Sequence, residues 1–458
     1  MSNAYQYWME EMETLSRPAL AAIQTEKLKD LLIYCQSHSR FYEEKYAESG
    51  ISISKVQGLE DISYLPLTSR EELEEDQRKD DRFGNLVCNG REEPGQTIGM
   101  TGIKFSATGR PLRLIMSVED AATQGKLAAR GLSCAGVEAR DYMYLMDFPQ
   151  FNLLYMHMGL GSINVGSKCI LVGMERAERN TSIYTRLYPP SCFYISPSYS
   201  KLVTKLLKQT KGRYPIRTVL GWSEPGYSLP TWRNRFREMW SEVSTEANIN
   251  ICDVYGMVEV GLMGVECPEN RGLHGFEDAY IYEIIDPETG KVMQPGEEGE
   301  LVITHLERTA MPLIRYRTGD ITSIQYETCD CGRTHLRLAG IRGRRDQAIK
   351  AGSRKIYQSM IEESMGGLKR FSGNFNVVLD GSDDISRINI DVPDTESTEE
   401  IRQEMQELCS KNLGVPVTIT PRPKDEILTF IHRSQKVFKA EDRERLVKEA
   451  ANQRRAET

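Results

Sequence analysis

No apolar run in this 458-residue chain approaches the ~18 residues that a membrane-spanning helix needs, so no membrane association is expected. The segment from Met1 to Arg17 is polar and acidic, without the basic flank and apolar stretch of a secretory leader. An excess of basic charge is also missing. Lys and Arg number 58 against 66 Asp and Glu, a formal charge of −8, which argues against a general nucleic-acid binder. Ten cysteines are too few for a disulfide framework at this length. Isolated ones, such as Cys169 in the run Cys169-Ile170-Leu171-Val172, read as small buried hydrophobes, and a cytoplasmic location is the expectation. The P-loop pattern, H-E-x-x-H and G-x-S-x-G are all absent, and Gly159-Leu160-Gly161 lacks the third glycine of a dinucleotide fingerprint.

What is present is an ordinary globular composition, 40% hydrophobic and 27% charged, long enough for two or three domains. Short apolar runs at Arg113–Met116, Tyr142–Met146, Lys168–Val172 and Cys192–Ile195 alternate with helical patterns at Val118–Gly131 and Tyr199–Lys208, the rhythm of βαβ units around a parallel sheet. From Asp278 the texture becomes that of β-hairpins, with a turn at Asp286-Pro287-Glu288-Thr289-Gly290. Beyond the connector Gly340–Arg345 come three strands and a helix, a small α+β unit. The expected class is therefore α/β: a large N-terminal domain, 1–343, of parallel and mixed sheets with a β-rich subdomain at about 260–340, and a small α+β C-terminal domain, 344–458.

Two stretches carry chemistry. Asp253-Val254-Tyr255-Gly256-Met257-Val258-Glu259 presents an aromatic that can stack on a base beside a carboxylate that can hold Mg²⁺ near phosphates. Pro312-Leu313-Ile314-Arg315-Tyr316-Arg317-Thr318-Gly319-Asp320 ends in a carboxylate at a glycine turn, an acceptor for two ribose hydroxyls. A third group, Cys267 and His274 with Cys329-Asp330-Cys331, supplies three thiolates and one imidazole, the donor set of a closed structural Zn²⁺ site; His335 is a rival ligand.

In order and spacing these stretches, with Gly221-Trp222-Ser223-Glu224-Pro225, Leu65-Pro66-Leu67-Thr68, Ser196-Pro197-Ser198-Tyr199, Gly272–Asp278 and Gly343-Arg344-Arg345-Asp346, resemble the phenylacetate–CoA ligase family of the adenylate-forming superfamily over nearly the whole chain. The resemblance implies roles. Ser223, Glu224, Pro225, Asp253, Val254, Tyr255, Gly256 and Met257 would line the nucleotide site. Glu259 would bind Mg²⁺, Asp320 the ribose with Arg344 beside it, and Asp346 would be the hinge of a mobile C-terminal domain. Lys436, preferred over Lys439, would stabilise charge as the carboxylate attacks the α-phosphate.

Departures from the family pattern are local. Of two candidates for the phosphate loop, 98–102 and 105–111, the second leads directly into a strand and a helix and is preferred; its Ser106, Thr108 and Gly109 would meet phosphate. Ser106 and Ala107 replace a glycine and a threonine of the family, and Val258 replaces a threonine. Side chains at 152–158 stand where the family has a glycine-rich segment, which implies a smaller or more polar acid pocket in which Asp147, Tyr155 and His157 would bond a hydroxyl or amino substituent. The expected function is AMP-forming acid–CoA ligation, with ATP, CoA and a small carboxylic acid as ligands, Mg²⁺ and structural Zn²⁺ as metals, no nucleic-acid partner, and room for a homodimer. Two alternatives stand beside it: transfer of the acyl group to an amine or carrier protein, and a non-catalytic nucleotide or acyl-ligand binder suggested by the altered loop.

Overall fold

The computed structural model describes residues 6–79, 83–88, 97–100, 111–146, 153–174, 177–352, 354–368, 371, 374–379, 385–428 and 437–457. The chain divides into two compact units, Met1–Trp222 with Met239–Gly340, and Ser223–Glu238 with Ile341–Thr458. The sequence reading did not set the segment Ser223–Glu238 apart.

In the first unit, β1 (Thr97–Met100) and β2 (Arg113–Met116) pair antiparallel. The strands β3 (Tyr142–Met146), β4 (Lys168–Leu171), β5 (Cys192–Ile195), β6 (Thr218–Gly221) and β7 (Asn250–Met257) run parallel in the order β4-β3-β5-β6-β7. Every residue of β5 and β6 is buried, which is why β5 reads as an unbroken apolar run rather than an alternating one. The sheet then continues antiparallel through β8 (Gly261–Glu266), β9 (Leu273–His274), β14 (Arg337–Leu338) and β13 (Ile324–Gln325), nine strands in all. The span 260–340, read from the sequence as a β-rich subdomain within the N-terminal domain, is built entirely of β-strands and turns. Four of its strands extend the main sheet, and the span lies in the first compact unit. Within that span β10 (Tyr280–Ile285), β11 (Gly299–His305) and β12 (Tyr316–Thr322) form a second antiparallel layer.

Two of the helices pack closely on one another. Val118–Cys134 starts in a capping box, with the Ser117 hydroxyl accepting from the Asp120 amide and Asp120 reaching back to the Ser117 amide. Leu153–Val165 packs on it through Gly161, where a Cβ would come within 2.5 Å of that of Ala128. The absence of a side chain lets the two helices close together.

The second unit is a four-stranded sheet in the order Val417–Arg422, Ile388–Pro393, Asn376–Leu379, Val437–Lys439, antiparallel only at its central pair. The helix Glu399–Leu413 buries Met405, Cys409 and Leu413 in a core with Phe375, Val377 and Ile390. It is capped by the Thr398 hydroxyl and ends at Gly414, whose φ of 69° suits glycine. Among the described residues no helix is long and apolar enough to cross a membrane.

Candidate functional site

The motif beginning at Asp253 forms the end of β7 and the turn into β8. It is thus a strand-to-strand hairpin with a register shift between Tyr255 and Gly256. Asp253, Val254 and Tyr255 are buried, and the Asp253 amide donates to Glu266 at 2.9 Å. The Tyr255 hydroxyl donates to Asp320 Oδ2 at 2.7 Å, joining two residues 65 apart in the chain. Asp320 itself stands on β12, its amide donating to the Thr318 hydroxyl.

Glu259, in the turn after β7, is 4% exposed. Its Oε1 accepts from the Tyr316 hydroxyl at 3.0 Å and from Arg70 Nη1 at 3.4 Å. Neither partner was singled out in the sequence. Arg70 opens the helix Arg70–Lys79 and also binds Glu74 at 2.9 Å. The preceding residue pair delivers it: Thr68 forms an isolated parallel bridge to Tyr316, with the Thr68 amide on Arg315 O at 2.9 Å and the Arg317 amide on Thr68 O at 2.8 Å. Arg308, 5% exposed, braces the same turn through Nη1 on Glu259 O at 2.7 Å. One carboxylate is what Mg²⁺ needs from protein when substrate phosphates and waters supply the other ligands, so the Glu259 turn fits that ion.

Ser223, Glu224 and Pro225 follow β6 directly and fall in the second unit. Ser223 adopts φ = 70°, a region costly for a non-glycine residue and found at ligand-binding turns. Arg344 and Asp346 also lie in the second unit, Nε to Oδ1 at 3.1 Å. Ser106, Thr108, Gly109, Asp147 and Lys436 lie outside the described residues. Of the two competing phosphate-loop stretches, Ile98–Met100 of the first belongs to β1.

On the helix Leu153–Val165, Tyr155 and His157 part company. The Tyr155 hydroxyl donates to Leu145 O at 3.2 Å, which ties it to β3. His157 is fully buried, and neither ring nitrogen has a partner.

Cys267, His274, Cys329 and Cys331 come together, all buried, with their ligand atoms within 4.8 Å of one another. Cys267 Sγ lies 3.7 Å from Cys329 Sγ and Cys331 Sγ 3.4 Å from His274 Nε2. Burial lowers the His274 pKa, favouring the neutral ring that a metal requires. Hydrogen bonds from the Cys267 and Cys329 thiols hold Cys331 well below the usual thiol range. His335 is no ligand: Nδ1 accepts from the Glu277 amide at 3.0 Å and Nε2 contacts Met12 O at 2.9 Å. Cys134 packs against the cluster, but burial pushes its thiol up to about 12. Three thiolates and one imidazole with no open position fit a structural Zn²⁺.

No protein-family model matches the chain. The chain is similar to the phenylacetate–coenzyme A ligase of Thermus thermophilus, 30% identical over 389 residues that cover 83% of each protein. It is likewise similar to that of Pseudomonas putida, 26% identical over 406 residues covering 87% of this chain and 86% of the other. Among solved structures, 2-hydroxyisobutyryl-CoA ligase in the postadenylation state in complex with 2-HIB-AMP matches with a TM-score of 0.86 at 22% identity, over 99% of this chain and 96% of that one. The same ligase with 2-HIB-AMP and CoA in the thioesterification state matches with a TM-score of 0.67, also at 22% identity, over 99% and 95%.

Proposed function

The chain belongs to the phenylacetate–CoA ligase family, and from that premise we propose that it activates a small carboxylic acid with ATP and passes the acyl group to the thiol of CoA. The observation that carries this reading is the bond between Tyr255 on β7 and Asp320 on β12, together with the bond from Tyr316 of the same β12 to Glu259 in the turn after β7. In the first step a carboxylate oxygen attacks the α-phosphorus and pyrophosphate leaves. In the second the CoA thiol attacks the acyl carbon, loses its proton, and AMP leaves. Splitting the reaction replaces hydroxide by AMP as the leaving group, which makes an unreactive carboxylate a good electrophile.

Each residue takes a defined part. Tyr255 and the backbone of Asp253, Val254, Gly256 and Met257 line the adenine side, and the Ser223-Glu224-Pro225 turn is assigned to the nucleotide by the family resemblance. Asp320 holds the ribose, oriented by the Tyr255 hydroxyl. Glu259 would hold Mg²⁺, which supplies charge neutralisation at the phosphates. Ser106, Thr108 and Gly109 serve the phosphates, Lys436 the developing charge, Arg344 the ribose side and Asp346 the hinge. The four-residue Cys/His cluster holds Zn²⁺ in a structural capacity.

The test is pyrophosphate release from ATP and Mg²⁺ over a panel of acids, followed by addition of CoA, amines or carrier proteins. AMP and an acyl-CoA are expected with CoA alone among the acceptors. Absence of pyrophosphate with every acid would leave the protein a binder.

Arg70 adds an expectation of its own. Arg70→Gln should slow adenylation about 10–100-fold, as removal of the group that orients a metal-binding side chain does. Arg70→Lys should recover part of it and shift the Mg²⁺ concentration for half-maximal rate back toward the unmodified value. Steady-state rates against Mg²⁺ concentration decide this, because a purely structural role would move the unfolding midpoint and leave the Mg²⁺ curve in place.

A further inference from the structure

We infer that the acid activated here carries a hydroxyl group besides its reacting carboxylate, and that His157 and Arg308 read it. This rests on the ligase reading and narrows it to a substrate class.

The starting point is an unmet hydrogen-bonding demand. His157 is 0% exposed, and both Nδ1 and Nε2 lack partners. Burial, aided by the nearby positive charge of Arg308, draws its pKa down to about 3, so the ring is neutral and offers one N–H and one lone pair. Arg308 lies close enough to act on that ring electrostatically. Its Nη1 is engaged by the carbonyls of Glu259 and Val260, while Nε and Nη2 are buried without partners. Buried polar groups are almost always paired, and the exceptions call for a cause such as a ligand that completes them.

The location fits the reacting end of the site. His157 shares a helix face with Leu154, one turn before it, and with Gly161, one turn after. Leu154 packs on Gly256, where a Cβ would lie 3.1 Å from Leu154 Cδ2, and Gly161 packs on Ala128, so this face spans from the Tyr255–Glu259 motif to the helix Val118–Cys134 with His157 between. Arg308 reaches the same motif through its bonds to the Glu259 turn.

Charge selects among polar substituents. Arg308 is a cation at this spot, so the ammonium of an α-amino acid would be repelled. Its charge is already offset by Asp120 and Glu259, which act on it electrostatically, so a second carboxylate is not called for. An uncharged hydroxyl meets the demand, since it accepts from a guanidinium N–H and both donates to and accepts from a neutral imidazole. A site whose buried groups are completed by a substrate hydroxyl rejects the analogue lacking it, because those groups are then left unpaired.

The experiment compares matched pairs in the full-length protein with ATP, Mg²⁺ and CoA: 2- and 3-hydroxy acids of short aliphatic and aryl chains against their deoxy counterparts, with AMP formation as readout. The best hydroxy acid should exceed its deoxy partner in kcat/KM by about 10² or more. In His157→Leu that ratio should fall to near unity while the KM for ATP stays unchanged. The unfolding midpoint should hold or rise, because an apolar side chain removes an unpaired buried group. His157→Asn should retain part of the preference, and it decides the matter if the leucine variant turns over no acid. A deoxy acid that wins in the unmodified protein, or a hydroxy preference that survives both substitutions, overturns the inference while leaving the ligase reading intact. Failure of every acid to release pyrophosphate overturns both.

Discussion

Glu259→Gln is expected to slow acyl-adenylate formation by about 10²–10³-fold, the loss typical when one preorganised electrostatic group is removed from a phosphate-handling site. The substitution keeps the shape of the side chain and an oxygen for the Tyr316 hydroxyl, which donates at 3.0 Å in the native turn. What it removes is the charge. Arg70 keeps its second partner, Glu74, so the guanidinium is not stranded and the turn should remain folded. The measurement is ATP–pyrophosphate exchange with a good acid, set beside thioester formation from supplied acyl-adenylate. Only the first half-reaction involves the pyrophosphate end of ATP, so the second should stay within a few-fold of the unmodified rate. A variant that exchanges pyrophosphate at the native rate would show that the carboxylate serves only the fold.

The adjacency of Glu259 to Arg70 also marks where the sequence ceases to be legible. Local patterns were enough for β3, β5 and the helix Val118–Cys134, because a buried parallel strand is an apolar run and a capped helix begins with hydroxyl and acid in a fixed spacing. Asp253, Tyr255, Glu259 and Asp320 were identified through their resemblance to a known pattern, and the bond that joins Tyr255 to Asp320 spans 65 residues. Arg70 carries no motif of its own and opens an ordinary surface-patterned helix, Arg70–Lys79. Its contact with Glu259 spans 189 residues and depends on one isolated bridge at Thr68, which leaves no local periodicity to read. Tyr155 and His157 show the reverse problem. Both were legible as polar side chains in an apolar helix, but two residues along a helix point in different directions, and only packing decides that one bonds β3 while the other is unpaired. The N-terminus read as polar and acidic, yet Glu13 is 3% exposed and its partner Arg333 is 320 residues away.

That N-terminal contact ties the fate of residues 6–15 to the metal site. Zinc stripping, or Cys331→Ser, is expected to release this segment from the body of the protein. The loop carrying Cys329 and Cys331 holds it at several points. Tyr7 donates its hydroxyl to Cys331 O at 2.6 Å, and the Arg333 guanidinium lies 4.6 Å from the Tyr7 ring centroid. Arg333 Nε donates to Glu13 Oε2 at 2.7 Å, Thr334 to Leu15 O at 2.6 Å, and His335 Nε2 meets Met12 O at 2.9 Å. Gly332 makes the turn at φ = 88°, and a Cβ there would come within 2.3 Å of the Tyr7 hydroxyl, so the fit leaves no room for a shifted loop. Binding of Zn²⁺ to such a donor set contributes about 10–16 kcal/mol in small zinc peptides at neutral pH, energy available here to hold the loop in its clamping shape. Without it the three sulfur ligands repel or reprotonate, the loop relaxes, and Glu13 and Arg333 are left as buried charges to be separated and hydrated. Elemental analysis should find one zinc per chain in the native protein and none in the variant. Amide hydrogen exchange over residues 6–15 should then rise by at least about tenfold, with Trp8, whose indole donates to Asn164 O at 3.3 Å, reporting the same change in fluorescence. Adenylation should fall much less than in Glu259→Gln, since no member of the cluster contacts the Tyr255–Asp320 site among the described residues. Native protein without stoichiometric zinc, or a metal-free protein whose N-terminal segment exchanges no faster than before, would refute the coupling.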